Sequence, residues 1–115
     1  MEESQYISID DFAKVEMRIG KILSVERVPD TDKLLTLAVD FGEATPRTVV
    51  SGIAGYFEDP QVLRGVSCPF VTNLEPRTIR GLTSEAMIVA VHSGADVFSV
   101  LEPTGAEIPA GTRLN

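Results

Sequence analysis

Apolar and polar residues alternate along this chain in short bursts rather than long runs, which predicts a small all-β protein. Val15, Met17 and Ile19 alternate with Glu16 and Arg18, the pattern of a half-buried strand. The strand continues past Gly20 through Lys21-Ile22-Leu23-Ser24-Val25-Glu26-Arg27, and its apolar register slips near the glycine. Glycine at such a slip predicts a bulge or sharp bend. Residues 28–32 form a turn that Lys33 ends. Leu35, Leu37, Val39 and Phe41 then alternate cleanly as a second strand. Gly42-Glu43-Ala44-Thr45-Pro46 turns the chain into a third, Arg47-Thr48-Val49-Val50-Ser51, which is β-branched in the middle.

Helical signals are brief. Residues 1–7 read as a loose arm or an early strand. Ser8 before Ile9-Asp10-Asp11 predicts a helical turn through Lys14, because its hydroxyl can accept an amide hydrogen bond and acids suit a helix start. Ile53, Tyr56 and Phe57 at i, i+3 and i+4 predict a short helix that Pro60 stops. Residues 66–71 read as a fourth strand, where Pro69 predicts an edge position or a bulge. Residues 87–91 read as a fifth. Between them lies a loop of about a dozen residues with Arg77, Arg80 and Gly81; ordered loops of that length are usually functional. Five strands with a short helix between the third and fourth is the order of an OB-fold, a partly open Greek-key barrel. The tail reads as one more strand at 97–101, then turns at Pro103-Thr104-Gly105 and Pro109-Ala110-Gly111. The 115 residues suit one domain, with no internal repeat.

Composition removes several function classes. No run approaches the ~20 apolar residues of a membrane helix, so no membrane partner is expected. The start, Met1-Glu2-Glu3-Ser4-Gln5, is too acidic and polar for a signal peptide, and the single Cys68 has no partner for a disulfide. Both favour a reducing, cytoplasmic setting. A net charge of −7 argues against a polyelectrolyte-style nucleic-acid binder. Its distribution softens that. Acids crowd the ends, whereas Lys33, Arg47, Arg64, Arg77 and Arg80 balance the acids of the middle, so a locally basic face is open to this chain.

Catalytic constellations are not found. Ser51-Gly52-Ile53-Ala54-Gly55 lacks the elbow of a serine hydrolase. His92, the only histidine, sits just past a strand end, and Cys68 lies in the apolar run Val66-Ser67-Cys68-Pro69-Phe70-Val71, where it reads as core. One histidine and one cysteine cannot build a zinc site. Asp30-Thr31-Asp32 opens like a calcium loop, but Leu35 stands where glycine is needed. No glycine-rich phosphate loop is present. The expectation is a non-catalytic binding module with no metal and no cofactor.

Four blocks carry a resemblance. They are Asp11-Phe12-Ala13-Lys14-Val15-Glu16-Met17-Arg18-Ile19-Gly20-Lys21-Ile22; Asp32-Lys33-Leu34-Leu35; Val50-Ser51-Gly52-Ile53; and Asn73-Leu74-Glu75-Pro76-Arg77 followed by Arg80-Gly81 and Ser84-Glu85-Ala86-Met87. In order and spacing they resemble the tRNA-binding domain of the EMAP-II and methionyl-tRNA synthetase C-terminal, or β-subunit, type. The resemblance runs from about Ser8 to the last residues. It implies an OB-fold that binds tRNA largely without sequence preference, free-standing or attached to a methionyl-tRNA synthetase chain. It also implies a homodimer built through residues 1–15 and 95–115. Mapped onto the matching positions, the tRNA-binding candidates are Lys33, Ser51, Asn73, Ser84 and Met87, with Arg47, Arg77 and Arg80 as electrostatic support. Thr78-Ile79 stands where relatives often carry lysine and methionine, and Ala86 where glycine is usual, so weak binding is expected, with a Kd of ~1–100 μM at physiological salt.

Each candidate also has a plain structural reading. Ser51 can simply end a strand, Asn73 can fix a turn, Met87 can be core, and Arg77 or Arg80 can pair with Glu75 or Glu85. Two other functions share the fold: a secretion chaperone of the CsaA type, and a pure dimerisation module.

Overall fold

The computed structural model describes residues 5–94 and 96–114. The N-terminal arm at 1–4 and positions 95 and 115 of the tail lie outside the described residues. Residues 5–7 form no strand. The helical turn forms as α1, Ile9–Ala13, and Ser8 caps it by accepting the Asp11 amide at 3.0 Å.

Nine strands follow among the described residues: β1 Met17–Arg27, β2 Leu35–Asp40, β3 Arg47–Ser51, β4 Ser67–Val71, β5 Arg77–Ile79, β6 Leu82–Ser84, β7 Met87–Ile88, β8 Ala90–Ser93 and β9 Val97–Val100. Five make an antiparallel sheet in the order β3-β2-β1-β4-β7, and β5–β6 and β8–β9 are separate hairpins. The sheet curls into the nearly closed five-stranded OB barrel. The gap beside β3 is bridged by the Glu85 amide to the Thr48 carbonyl at 2.8 Å and the Val50 amide to Ser84 Oγ at 2.9 Å. Ile22, Leu35, Leu37, Val39, Val49, Cys68 and Phe70 are sealed inside. β2 has the cleanest reason to be a strand, because buried and half-buried positions alternate through all of it. Burial pushes the Cys68 thiol up to about 12, so it is an inert core residue.

Several local expectations are corrected. The β1 bulge is not at Gly20 but past it: Ile22 pairs with Val39 and Ser24 with Ala38, so Leu23 is the extra residue and Val25 returns to the core. Gly20 is there for space. A Cβ on it would lie 2.5 Å from Val39 Cγ1 and 2.6 Å from the Phe41 ring. Pro60 does not end a helix; residues 54–63 form two 3-10 turns, Ala54–Tyr56 and Pro60–Leu63, and Pro60 opens the second, capped by Asp59. Nor is β4 an edge, since it lies between β1 and β7. Pro69 is tolerated there because it faces Ile19, whose carbonyl already accepts the Gly111 amide at 2.7 Å and needs no donor from β4. The fifth strand breaks after Ile88, and β8 pairs with β9 rather than with the barrel.

The tail turns back onto the barrel. Gly111 and Leu114 donate to the Ile19 and Met17 carbonyls at 2.7 and 2.9 Å, which places 111–114 beside β1. Arg18 ties this arrangement inward, donating to the Gly111 carbonyl at 2.8 Å and to the Glu16 carboxylate at 3.1 Å. Glu16 also accepts from Thr72 Oγ1 at 2.7 Å. The hydrogen bonds from Arg18 and then Thr72 hold the Glu16 carboxyl down at about 2, against an ordinary value of 4.5. A carboxyl with a lowered folded-state pKa stabilises the fold above its unfolded value and loses that contribution as acid protonates it. Glu16→Gln should therefore melt below the wild type at neutral pH, and the two melting curves should converge as pH falls from 4.5 toward 2. A gap that persists at the acid end would assign the loss to shape rather than charge.

Candidate nucleic-acid interface

The stretch between β4 and β7 is a built element, not an open loop. Arg77 pairs with Ser84, Thr78 with Thr83 and Ile79 with Leu82, so it is a β-hairpin. Its turn is Arg80-Gly81, with φ of 53° and 81°, the left-handed pair that a two-residue hairpin turn demands. Glycine adopts that geometry freely. Arginine adopts it at a cost of ~1–2 kcal/mol, and so sits at the tip.

Both feet of the hairpin are tied down. Arg47 Nη1 donates to the Thr72 carbonyl at 2.8 Å and the Glu85 carbonyl at 3.2 Å. The same guanidinium grips Glu43 through both carboxylate oxygens, at 2.9 and 2.8 Å, and lies 5.4 Å over the Phe41 ring. The hydrogen bond to Glu43 drives the Arg47 pKa upward and the Glu43 pKa downward. On the other side Asn73 accepts the Glu16 amide at 2.9 Å and donates to the Lys14 carbonyl at 2.6 Å. Asn73 is thus a long-range clamp between the end of α1 and the first foot, not the fastener of its own turn. Ser84 is buried; its hydroxyl accepts the Val50 amide and donates to the Ala86 carbonyl at 3.1 Å. Ala86 is buried and has no positive φ, so alanine in place of glycine brings no backbone strain there.

The remaining candidates are presented outward. Ser51, Arg77 and Met87 line one groove between β3, the hairpin and β7, with Val50, Ser84 and Ala86 beneath. Met87 is 49% exposed and therefore not core. Lys33 and Arg80 line a neighbouring depression with Asp30, Thr31, Asp32 and Leu34. One hairpin serves both places: its strands wall the groove and its tip shares the depression with Lys33. Neither Arg77 nor Arg80 belongs to an ion pair found among the described residues. So the structure divides the eight candidates. Lys33, Ser51, Arg77, Arg80 and Met87 form an outward strip, and Arg47, Asn73 and Ser84 spend their polar atoms holding that strip in shape.

The sequence reading left out Leu74, Glu75, Ile79 and Ile88, which also line the groove. A signal for the hairpin was present. Arg77-Thr78-Ile79 and Leu82-Thr83-Ser84 flank a dipeptide ending in glycine, but arginine instead of asparagine or aspartate hides the turn.

The family described as a tRNA binding domain matches this chain over residues 17–113. This chain belongs to that family. Among curated relatives, the methionine–tRNA ligase of Myxococcus xanthus is 46% identical over 97 residues, covering 84% of this chain and 14% of the ligase. The chain therefore corresponds to about one seventh of such a relative. Among solved structures, the MetRS-related protein of Pyrococcus horikoshii superposes with a TM-score of 0.87 at 32% identity, covering 96% of this chain and 99% of that one. The chaperone CsaA of Bacillus anthracis superposes with a TM-score of 0.83 at 26% identity, covering 96% and 100%. The tRNA binding domain described here thus shares both its sequence family and its barrel with the methionyl-tRNA synthetase group. No helix among the described residues is long and apolar enough to cross a membrane.

Proposed function

We propose that this domain is a non-catalytic tRNA-binding module of the cytoplasm, free-standing or joined to a methionyl-tRNA synthetase, which raises the hold on tRNA largely without sequence preference. The observation that carries the reading is the strip of Lys33, Arg80, Arg77, Ser51 and Met87 along one hairpin of a family tRNA binding domain. Cations spread over the groove and the neighbouring depression meet phosphates, and a half-exposed methionine offers an apolar surface to a base. The cost of setting Arg80 at positive φ supports a use for its side chain at the tip.

Dimerisation is part of the same reading. α1 buries none of its residues, and Tyr6, Ile7 and Ile9 are 95%, 68% and 78% exposed. A second copy would cover such a surface. The covering surface is expected from residues 5–15 and the β8–β9 hairpin, since 111–114 is engaged with its own β1. Sedimentation at micromolar concentration reads this directly, and a monomer would remove it.

The deciding experiment is a titration of total tRNA, followed by anisotropy at two salt concentrations. A Kd of ~1–100 μM that weakens steeply with salt is expected. Lys33→Glu should weaken binding of every tRNA alike, by about tenfold, and flatten the salt slope. Equal affinity of mutant and wild type takes Lys33 out of the site. A chaperone role is the second reading, favoured by the CsaA likeness and the apolar lining of Leu74, Ile79, Met87 and Ile88. Suppression of client aggregation that tRNA does not compete away would select it.

A further inference from the structure

One acid sits where phosphate binding has no use for it. Glu75 lines the groove together with Leu74, Arg77, Ile79 and Met87. The other acids at the feet of the hairpin are engaged: Glu43 with Arg47, Glu16 with Arg18 and Thr72, and Glu85 with the Thr48 amide at 2.9 Å, while Asp30 and Asp32 lie apart at its tip beside Lys33 and Arg80. Glu75 takes part in no ion pair found among the described residues. A carboxylate repels phosphate, and among the described residues no cation in this groove is paired with Glu75 to offset that, so Glu75 does not serve the backbone contact. A carboxylate suits a base edge that offers donors.

We infer that the groove receives a single unpaired guanine of the bound RNA, read by Glu75; the inference rests on the tRNA reading above. The space is about 70 Å³, well below the ~300–1,000 Å³ of sites for drug-sized ligands. That suits the edge of one flat ring system entering from outside. Leu74 and Met87, each 49% exposed, offer apolar surface to its faces. The choice among bases follows from hydrogen-bond chemistry. An ionised carboxylate accepts through two oxygens and donates nothing. The Watson–Crick edge of guanine carries a ring N–H and an exocyclic amine side by side, two donors for two acceptors. Adenine and cytosine set an amine beside a ring-nitrogen lone pair, and uracil sets one N–H between two carbonyl oxygens. Each of these points a lone pair at the carboxylate. Arg77, on the same wall, is left for the adjoining phosphate. Most of the affinity still comes from the backbone, so one base pocket is compatible with broad tRNA binding.

The test uses four RNA hairpins that differ in one unpaired loop nucleotide, titrated against the whole chain beside total tRNA. The guanine hairpin should bind about tenfold more tightly than the uracil hairpin, the scale of charge-assisted hydrogen bonds. Glu75→Gln turns one acceptor into a donor, so it should abolish the guanine preference and favour adenine and cytosine. Equal affinity of the wild type for all four, with total tRNA still bound, overturns the guanine assignment and leaves the tRNA reading intact. Uniform tightening of all four by Glu75→Gln does the same, since Glu75 then only repels phosphate. Loss of every interaction, total tRNA included, overturns both.

Discussion

Arg47→Ala should lower the stability of this domain by about 2–4 kcal/mol, a fall in Tm of roughly 10 °C, before any effect on RNA is considered. The guanidinium joins four groups at once. It holds Glu43 through two hydrogen bonds, the Thr72 carbonyl at 2.8 Å, the Glu85 carbonyl at 3.2 Å and the Phe41 ring at 5.4 Å. Its side chain is only 22% exposed, so the groups left behind are partly shielded from water. Thr72 and Glu85 are the two feet of the hairpin, and cutting both ties should let it open locally. Hydrogen exchange of the amides at 77–84 should accelerate more than that of β2. Arg47→Lys keeps the charge but not the planar fork, and should recover less than half of the loss. An unchanged Tm, with RNA affinity and salt slope both reduced, would make Arg47 a direct phosphate contact instead of the fastener of the hairpin.

Gly111→Ala should release the C-terminal tail. Gly111 has φ +92°, which an alanine adopts only under strain, and a methyl there would run into the backbone carbonyl of Phe41. Strained backbone costs ~1–3 kcal/mol, and overpacking against an atom that cannot rotate away adds ~1–3 kcal/mol. Together these are on the scale of what the few tail hydrogen bonds contribute, at roughly 0.5–1.5 kcal/mol each, and far below the cost of opening the barrel. The expected result is detachment of 111–114 from β1 rather than global unfolding. The Ile19 amide, which donates to the Thr112 carbonyl at 2.8 Å, should then exchange about a hundredfold faster. Gly105→Ala is the control, because nothing lies within 4 Å of a methyl placed there. Unaltered exchange at Ile19 in Gly111→Ala would mean that the tail does not depend on this close approach.

Much of the barrel was legible because its signals are local. β2 and β3 follow from strict alternation and β-branched residues, the Ser8 cap from a hydroxyl followed by two acids, and the buried Cys68 from its apolar neighbours. What misled was residues whose meaning lies in a partner far along the chain. Gly20 looks like a bend from its neighbours but is a gap for Phe41 and Val39. Pro69 looks like an edge but stands opposite a residue that needs nothing from it. Among the site candidates the same rule applies. Charge and residue type do not separate Arg47 from Arg77, or Ser84 from Ser51. One member of each pair turns inward to hold the hairpin, and the other faces the groove.

By itself the sequence determined the order of the barrel strands, the OB barrel, the family likeness and the set of residues from which a binding surface could be drawn. These are set by periodicity, turn chemistry and short motifs, all of which act between near neighbours. Only the tertiary structure decided which of those residues are spent and which are offered. A side chain's hydrogen-bond capacity is finite, and closure of the barrel brings Thr72, Glu85, Lys14 and Glu16 within its reach.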